Sequence, residues 1–107
     1  MSYFNELDCA ITVCDTQGTV IYCNEKSQQT FAKYGDLTGK NLQDCHPPKA
    51  WEKIQQLLQT GESNVYSIEK NGQKKIIYQT PWRENGELKG LIEFSFVVPF
   101  EMPHFVR

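Results

Sequence analysis

The stretch from residue 10 to residue 24 constrains the fold more strongly than the rest of the sequence. Two short runs rich in β-branched and aromatic residues flank Asp-Thr-Gln-Gly at 15–18, where the aspartate can bind the turn backbone and the glycine can take a positive φ. Asn24 ends the second run and is a residue type that caps helices by accepting from their first free amides. The stretch therefore predicts a β-hairpin followed by a helix that begins at Glu25.

Length and composition narrow the class of protein. The chain has 107 residues and is 39% hydrophobic, which is enough for one domain with one core. Its formal charge is -2 and neither sign forms a long block, so a basic face for nucleic acid is not expected. The sequence has no apolar run of membrane-spanning length and no leader pattern, so we predict a cytoplasmic protein without membrane contact.

We predict a single domain over residues 1–107, with an N-terminal segment at 1–9, a core at 10–98 and a C-terminal tail at 99–107. The cysteines are not spaced in pairs, and the domain has enough apolar residues to fold without disulfides. We therefore expect reduced thiols at Cys9, Cys14, Cys23 and Cys45.

The middle of the chain predicts two helices. A short helix covers residues 26–34 and is closed by Gly35. A longer helix begins at Pro48, which suits the first helical position, runs to about Thr60 and ends at Gly61. Apolar residues recur along one face of the longer helix and predict its buried side: Trp51, Ile54, Leu57 and Leu58.

From residue 65 onward the apolar period becomes that of β-strands. Asn71-Gly72 predicts a type I′ turn in a hairpin over residues 65–82. This turn sets two cross-strand pairs, Glu69 with Lys74 as an ion pair and Tyr66 with Ile77. After a further glycine turn, residues 88–98 are long and apolar enough to form a central strand.

Taken together, these elements resemble a PAS domain, the small sensor module of bacterial and eukaryotic signalling proteins. The order of elements covers nearly the whole chain, and several segments are similar to recurrent positions of the family: 13–18 with Asn24, Gly39, Asn71-Gly72 and 86–90. The resemblance implies an α+β fold in which a five-stranded antiparallel sheet is covered on one face by short helices.

A finer resemblance lies in residues 39–49 and in Gly-Leu-Ile-Glu at 90–93. These segments are similar to the PAS module that ends uncharacterised hemerythrin-like proteins of anaerobic bacteria and archaea. The sequence has no hemerythrin part, so we expect the module to stand alone and find no support for diiron chemistry.

The resemblance implies a cavity between sheet and helices that holds haem, flavin, a small metabolite or nothing. In the flavin photoreceptor branch a reactive cysteine follows Gly-x-Asn, whereas Leu42 follows Gly-Lys-Asn at 39–41, which disfavours a flavin adduct. In the oxygen-sensing haem branch the iron ligand is a histidine of the long helix, and residues 48–60 contain none. Haem held through another residue remains an alternative.

Cys45 and His46 precede the longer helix and are the candidates for such a role. They could ligate a haem or metal, or Cys45 could be a redox-sensitive thiol whose pKa the helix N-terminus lowers. The alternative is that Cys45 fills the core and His46 hydrogen-bonds the loop. Adjacent side chains on an extended backbone point to opposite faces, which disfavours a catalytic dyad. We predict neither an enzyme nor a structural metal site.

We predict a mainly apolar cavity suited to a planar or hydrophobic metabolite. The helices are expected to face Ile11 and Val13 across it, and the predicted cavity residues are Phe31, Tyr34, Cys45, His46, Trp51, Ile54, Leu58, Tyr78, Ile92 and Phe94. The predicted function is a sensory module that binds a small ligand and acts through a dimer or a partner protein. A ligand-free interaction module is the alternative. Apolar residues near both termini predict a homodimer that also uses the outer face of the sheet.

Overall fold

A computed structural model describes residues 2–107 as an α+β fold with one five-stranded antiparallel sheet. The elements are β1 (Ala10–Asp15), β2 (Val20–Cys23), α1 (Glu25–Thr30), α2 (Pro48–Thr60), β3 (Asn64–Lys70), β4 (Gln73–Glu84) and β5 (Glu87–Val98), with 3-10 turns at Ala32–Tyr34 and Leu42–Cys45. The strand order β2-β1-β5-β4-β3 places the last strand between the two hairpins. The predicted fold class is confirmed, and of the predicted boundaries only Met1 lies outside the described residues.

The first hairpin forms as predicted. The Asp15 carboxylate accepts from the amides of Gln17 and Thr19 at 2.9 and 3.0 Å, and Gly18 has a φ of 84°. A Cβ atom on Gly18 would lie 2.5 Å from the Trp51 ring, so the glycine also allows α2 to pack against the turn. The local turn and the packing of α2 therefore require the same residue.

Asn24 caps α1 as predicted and also binds two other parts of the chain, the N-terminal segment and β1. Its side chain is fully buried, and its Oδ1 accepts from the amides of Ser27 at 3.1 Å and Ile11 at 2.9 Å. Its Nδ2 donates to the carbonyls of Phe4 and Cys9, both at 2.8 Å. One side chain thus connects the N-terminal segment, β1 and α1.

The two helices differ in how closely they match the sequence prediction. The predicted helix over residues 26–34 is divided, because Phe31 leaves helical geometry with φ −104° and ψ 23° between α1 and the 3-10 turn. Helix α2 has the predicted bounds and ends at Gly61 in the left-handed conformation. Its residues Ile54 and Leu57 are buried, which confirms the predicted face.

The second hairpin has the predicted turn and register. Asn71 and Gly72 have φ values of 53° and 75°, as a type I′ turn requires. Tyr66 pairs with Ile77 and Glu69 with Lys74. The predicted ion pair between Glu69 and Lys74 is wrong, because the salt bridges within residues 2–107 are Lys26 to Asp8 and Lys89 to Glu87. A surface ion pair gains little from holding two flexible side chains in one geometry.

The hydrophobic core lies under α2 at the β1 and β2 side of the sheet. Its buried residues are Cys14, Val20, Cys23, Leu37, Leu42, Ile54, Leu57 and Leu91. We call the face of the sheet that carries Cys14 and Leu91 the inner face and the opposite face the outer face. Toward β3 the inner face is open, because Tyr66 and Ile68 remain 44% and 36% exposed. No helix in residues 2–107 has the length and apolar character needed to cross a membrane.

Candidate functional site

Strand register divides the inner face into rows that run across the sheet. Cys14 and Leu91 pair with each other at the hydrophobic core. The next row, which we call the first, is Thr12, Glu93, Gln79 and Asn64 on β1, β5, β4 and β3. The second row is Ala10, Ser95, Ile77 and Tyr66, and the third is Val97, Lys75 and Ile68. A polar row therefore separates the hydrophobic core from the open part of the inner face.

The first row is joined by side-chain hydrogen bonds. Asn64 Nδ2 donates to Gln79 Oε1 at 3.0 Å, and Gln79 Nε2 donates to Glu93 Oε2 at 2.9 Å. At the other end, the hydroxyls of Thr12 and Ser27 are 2.5 Å apart. Gln79, Thr12 and Ser27 are buried, so their polar atoms need these partners. Because a carboxylate can only accept, the hydrogen bonds run from the Asn64 amide through Gln79 to Glu93.

Two cavities meet at this row. The cavity under α2 has a volume of only about 10 Å³ and is lined by Thr12, Cys14, Phe31, Leu42, His46, Ile54, Leu91 and Glu93. The second is a groove of about 180 Å³ over the open inner face, lined by Ala10, Thr12, Thr30, Phe31, Tyr66, Ile68, Lys70, Lys75, Ile77, Glu93 and Ser95. We call it the inner-face groove. It continues into a hollow of about 360 Å³ that shares Ala10, Thr30, Lys75 and Ser95.

The predicted cavity residues from the helices and loops are only partly brought together. Phe31 lines both cavities, whereas Ile54 and His46 line the small one. Tyr34, Cys45, Trp51 and Leu58 pack against the core, and the last two also lie beside Gln17 at the first turn. Only Phe31 of this group therefore reaches the inner-face groove.

The predicted inward orientation of the sheet residues is wrong. Tyr78 pairs with Phe94, and Phe94 with Ile11, so these side chains lie on the outer face. Val13 and Ile92 pair with each other on that same face. A shift of one residue exchanges the two faces of a strand. The large apolar residues of β4 and β5 were predicted to face inward because they are hydrophobic, and this assigned the wrong face to both strands.

Cys45 and His46 are closer together than adjacent residues on an extended strand would be. Cys45 ends the 3-10 turn, which places its Sγ 3.4 Å from His46 Nδ1. The same nitrogen lies 2.9 Å from the Leu42 carbonyl oxygen, which can only accept. Nδ1 therefore carries the proton and cannot act as a base toward the thiol. In the described part of the chain, no group of three or more His, Cys, Asp or Glu side chains could hold a metal ion.

The environment of Cys45 raises the thiol pKa and does not lower it. Burial is the main cause, and the negative charges of Asp44 and Glu93 act in the same direction. The predicted effect of the helix N-terminus is thus outweighed. The small cavity beside His46 also lacks the volume for a porphyrin, since about 10 Å³ is far below the roughly 300 Å³ of ordinary ligand pockets.

Sequence reasoning did not assign a site role to Tyr66, Ile68, Ile77 and Glu93, which line the inner-face groove. It also missed Asn64 and Gln79, which join Glu93 in the polar row. One signal was available, because Glu93 is the one charged residue within the apolar stretch 90–98 of β5. Charged residues are rarely placed in the middle of a central strand without a partner or a role. The position of Gln79 opposite Glu93 could be known only from strand register.

The outer face carries a broad apolar surface. Tyr78 and Phe94 have ring centroids 6.4 Å apart, and Tyr78 is 37% and Val65 57% exposed. At one end of this face, the Trp82 indole donates to the Cys14 carbonyl at 3.0 Å and lies where Gly90 has no side chain.

Comparison with known proteins identifies the family. The chain is similar to the histidine kinase ThkA PAS domain, with 20% identity and a TM-score of 0.69 over 84% of this chain and 99% of that one. A sensory box histidine kinase from Vibrio cholerae is 16% identical, with a TM-score of 0.68 over 89% of this chain and 86% of that one. A ligand and DNA complex of Vibrio cholerae VqmA is 22% identical, with a TM-score of 0.67 over 88% of this chain and 48% of that one. No curated protein matches the chain. The family model for the PAS domain matches residues 8–94, and the chain therefore belongs to the PAS domain family.

Proposed function

We propose that the chain is a sensory module that binds a small molecule in the inner-face groove and transmits its occupancy through a dimer or a partner protein. The observation that carries this proposal is the groove itself, which has an aromatic and aliphatic lining with Glu93 at its inner end. Ligand sites commonly combine an apolar lining with a few placed polar groups. Structures of similar fold come from histidine kinases, and that of VqmA is a complex with a ligand, which supports the same type of role.

The dimer part of the proposal is supported by apolar side chains that the single chain leaves exposed. They lie on the outer face and in both terminal segments: Tyr3, Phe4, Leu7, Val65, Tyr78, Phe100, Met102, Phe105 and Val106. Exposed apolar surface of this extent is typical of a contact region. We therefore propose a symmetric homodimer through the outer face and the terminal segments.

Tyr78 and Tyr66 provide a matched pair to test this assignment of faces. Both tyrosines are similarly exposed, 37% and 44%, but they lie on opposite faces of the sheet. In sedimentation at micromolar concentration, Tyr78→Glu should dissociate the dimer and Tyr66→Glu should leave it intact. A wild-type monomer, or equal effects of the two variants, would contradict the proposed dimer.

Ligand binding is tested with the same pair. A molecule that occupies the groove at 100 times its Kd should stabilise the fold by about 2.7 kcal/mol. A thermal-shift screen of small metabolites should find stabilising compounds whose effect persists in Tyr78→Glu and is lost in Tyr66→Glu. If every stabilising compound behaves identically in both variants, the groove is not the sensory site.

A ligand-free interaction module is the second candidate. The small volume of the cavity under α2, about 10 Å³, favours it, because the core itself leaves no room for a ligand. This candidate predicts contacts with a second copy or a partner protein but no ligand in the groove. The thermal-shift screen therefore distinguishes the two functions.

Other parts of the function are proposed on narrower grounds. We propose no catalytic role for Cys45, because its thiol pKa is raised and the proton on His46 Nδ1 faces a carbonyl. The free thiols of all four cysteines support a reducing, cytoplasmic location. We also propose kinship with the PAS module of hemerythrin-like proteins, on the basis of residues 39–49 and 90–93.

A further inference from the structure

The inner-face groove has different chemistry at its two ends. Its inner end is the polar row with Glu93, and its floor is the next row, with Ile77 and Tyr66. Its outer end carries Lys75 and, at the end of β3, Lys70. A ligand in the groove would therefore contact the negative Glu93 at one end, the apolar floor in the middle and a positive rim, formed by Lys75 and Lys70, at the other end.

The inner end has unused capacity to accept hydrogen bonds. Gln79 donates to Oε2 of Glu93, and no other side-chain hydrogen bond reaches that carboxylate from within residues 2–107. An ionised carboxylate has about four acceptor positions and no donor. Glu93 lines both cavities, and its Oε1 has no side-chain partner within residues 2–107. The group it would bind is a donor such as an amine or amide.

The field of Glu93 also acts on neighbouring groups. Burial is the main cause of the raised pKa of Tyr66, and the charge of Glu93 raises it further. The pKa of Cys45 is also raised, mainly by burial, and the charge of Glu93 contributes to this increase. An anion would therefore be disfavoured at this end of the groove.

The middle of the groove sets the size of the guest. Its volume of about 180 Å³ equals that of roughly six water molecules at liquid density. Phe31 forms one wall, and Tyr66 and Ile77 form the floor. These surfaces suit one ring or a short aliphatic body.

The rim supplies cations that the described structure does not pair. The salt bridges within residues 2–107 use Lys26 and Lys89, and neither Lys70 nor Lys75. Lys75 is four residues from Gln79 along β4, which corresponds to about 14 Å between their backbones. Since lysine side chains are long and flexible, they can reach back toward a guest shorter than this distance.

We propose that the inner-face groove binds a compact apolar molecule with a hydrogen-bond donor, such as an ammonium, at one end and a carboxylate at the other. The donor binds Glu93, the body packs between Phe31 and Tyr66, and the carboxylate is held by Lys75 and Lys70. An α-amino acid with an uncharged side chain carries both charged groups on one carbon and does not reach both ends. This inference rests on the proposed sensory function and specifies its ligand class.

Three probes that share one benzene ring test which charged group binds at which end of the groove. Their affinities are measured by titration calorimetry on the full chain. The probes are 4-(aminomethyl)benzoate, benzylamine, which lacks the carboxylate, and 4-methylbenzoate, which lacks the ammonium. The expected order of affinity is 4-(aminomethyl)benzoate first, benzylamine second and 4-methylbenzoate last. Tighter binding of 4-methylbenzoate than of benzylamine would overturn the proposed orientation.

Variants with matched controls assign the two ends. Glu93→Gln keeps an oxygen for Gln79 but removes the charge, and it should weaken 4-(aminomethyl)benzoate at least tenfold, whereas Glu87→Gln on the same strand should not. Lys75→Met should weaken the same probe about two- to fivefold, the range of an exposed ion pair. Lys74→Met, the neighbouring position on the outer face, should have no effect. Melting curves show that each variant is folded.

The outcomes separate this inference from the proposed function. Unchanged affinity in Glu93→Gln, or no binding of any of the three probes, overturns the ligand class. The proposed function survives that result if another compound from the thermal-shift screen loses its effect in Tyr66→Glu. It fails together with this inference if no compound binds in the groove.

Discussion

Replacing Asn24 by alanine removes four hydrogen bonds of one buried side chain. Loss of the helix cap costs about 0.5–2 kcal/mol. The buried amide of Ile11 is left without its partner, which costs about 1–3 kcal/mol more. The carbonyls of Phe4 and Cys9 are closer to the surface and can bind water. We therefore expect Asn24→Ala to lower the free energy of unfolding by about 1.5–5 kcal/mol, a large part of the 5–15 kcal/mol of an ordinary domain.

Asn41 is the matched control. It also caps a short helical turn, by accepting from the Gln43 amide at 2.9 Å, and it donates to the Gln17 carbonyl at 2.8 Å. Both bonds are exposed, so water replaces them in Asn41→Ala and the expected loss is about 0.5–1 kcal/mol. Urea unfolding at constant m-value gives both free energies. Equal losses for the two variants would refute the argument from burial.

Asn24→Asp separates the two halves of the side chain. The carboxylate still accepts from Ile11 and Ser27, but it can no longer donate to Phe4 and Cys9 and instead faces their carbonyl oxygens. We expect a smaller loss of global stability than in Asn24→Ala, together with release of the N-terminal segment. Hydrogen exchange should show faster exchange at the Glu25 amide, which donates to the Asn5 carbonyl at 3.0 Å. Unchanged protection at Glu25 would show that Asn24 does not hold this segment.

Two further predictions concern β1 and its neighbours. Gly90→Ala should destabilise the fold by at least about 3 kcal/mol, because its Cβ would lie 1.8 Å from the Cys14 carbonyl oxygen. The double variant Gly90→Ala with Trp82→Ala should be no more stable. Recovery of stability in that variant would show that the indole, and not the carbonyl, is the obstacle. Burial raises the pKa of Cys14 from 9.0 to about 11, so its stabilising contribution is complete below pH 9 and is lost as the pH rises through 11, by up to about 3 kcal/mol. Urea unfolding should show this alkaline loss in wild type and a much weaker one in Cys14→Ala, and parallel pH profiles would contradict it.

The sequence by itself determined those parts of the structure that depend on local interactions. The first turn follows from Asp15 and Gly18, whose bonds join residues at most four positions apart. The bounds of α2 follow from Pro48 and Gly61, and the register of the second hairpin from Asn71-Gly72. Each signal acts through the conformational preference of one or two residues, which distant packing did not override.

Only the tertiary structure decided which face of the sheet is covered. Strands β4 and β5 carry large apolar residues at Tyr78, Ile92 and Phe94, and hydrophobicity alone placed these inward. The register of β5 between β1 and β4 places them on the outer face and brings Glu93 and Gln79 to the inner face. When both faces of a strand carry apolar residues, the alternating pattern no longer specifies which face is covered.

The candidate site likewise depends on pairing between distant segments. Thr12, Asn64, Gln79 and Glu93 come from four strands, and no local pattern links them. Their hydrogen bonds form only after β5 inserts between the two hairpins, which places Glu93 opposite both Thr12 and Gln79. The sequence thus determined the individual turns and caps, because these are local, whereas strand order and register decided the position and polarity of the groove.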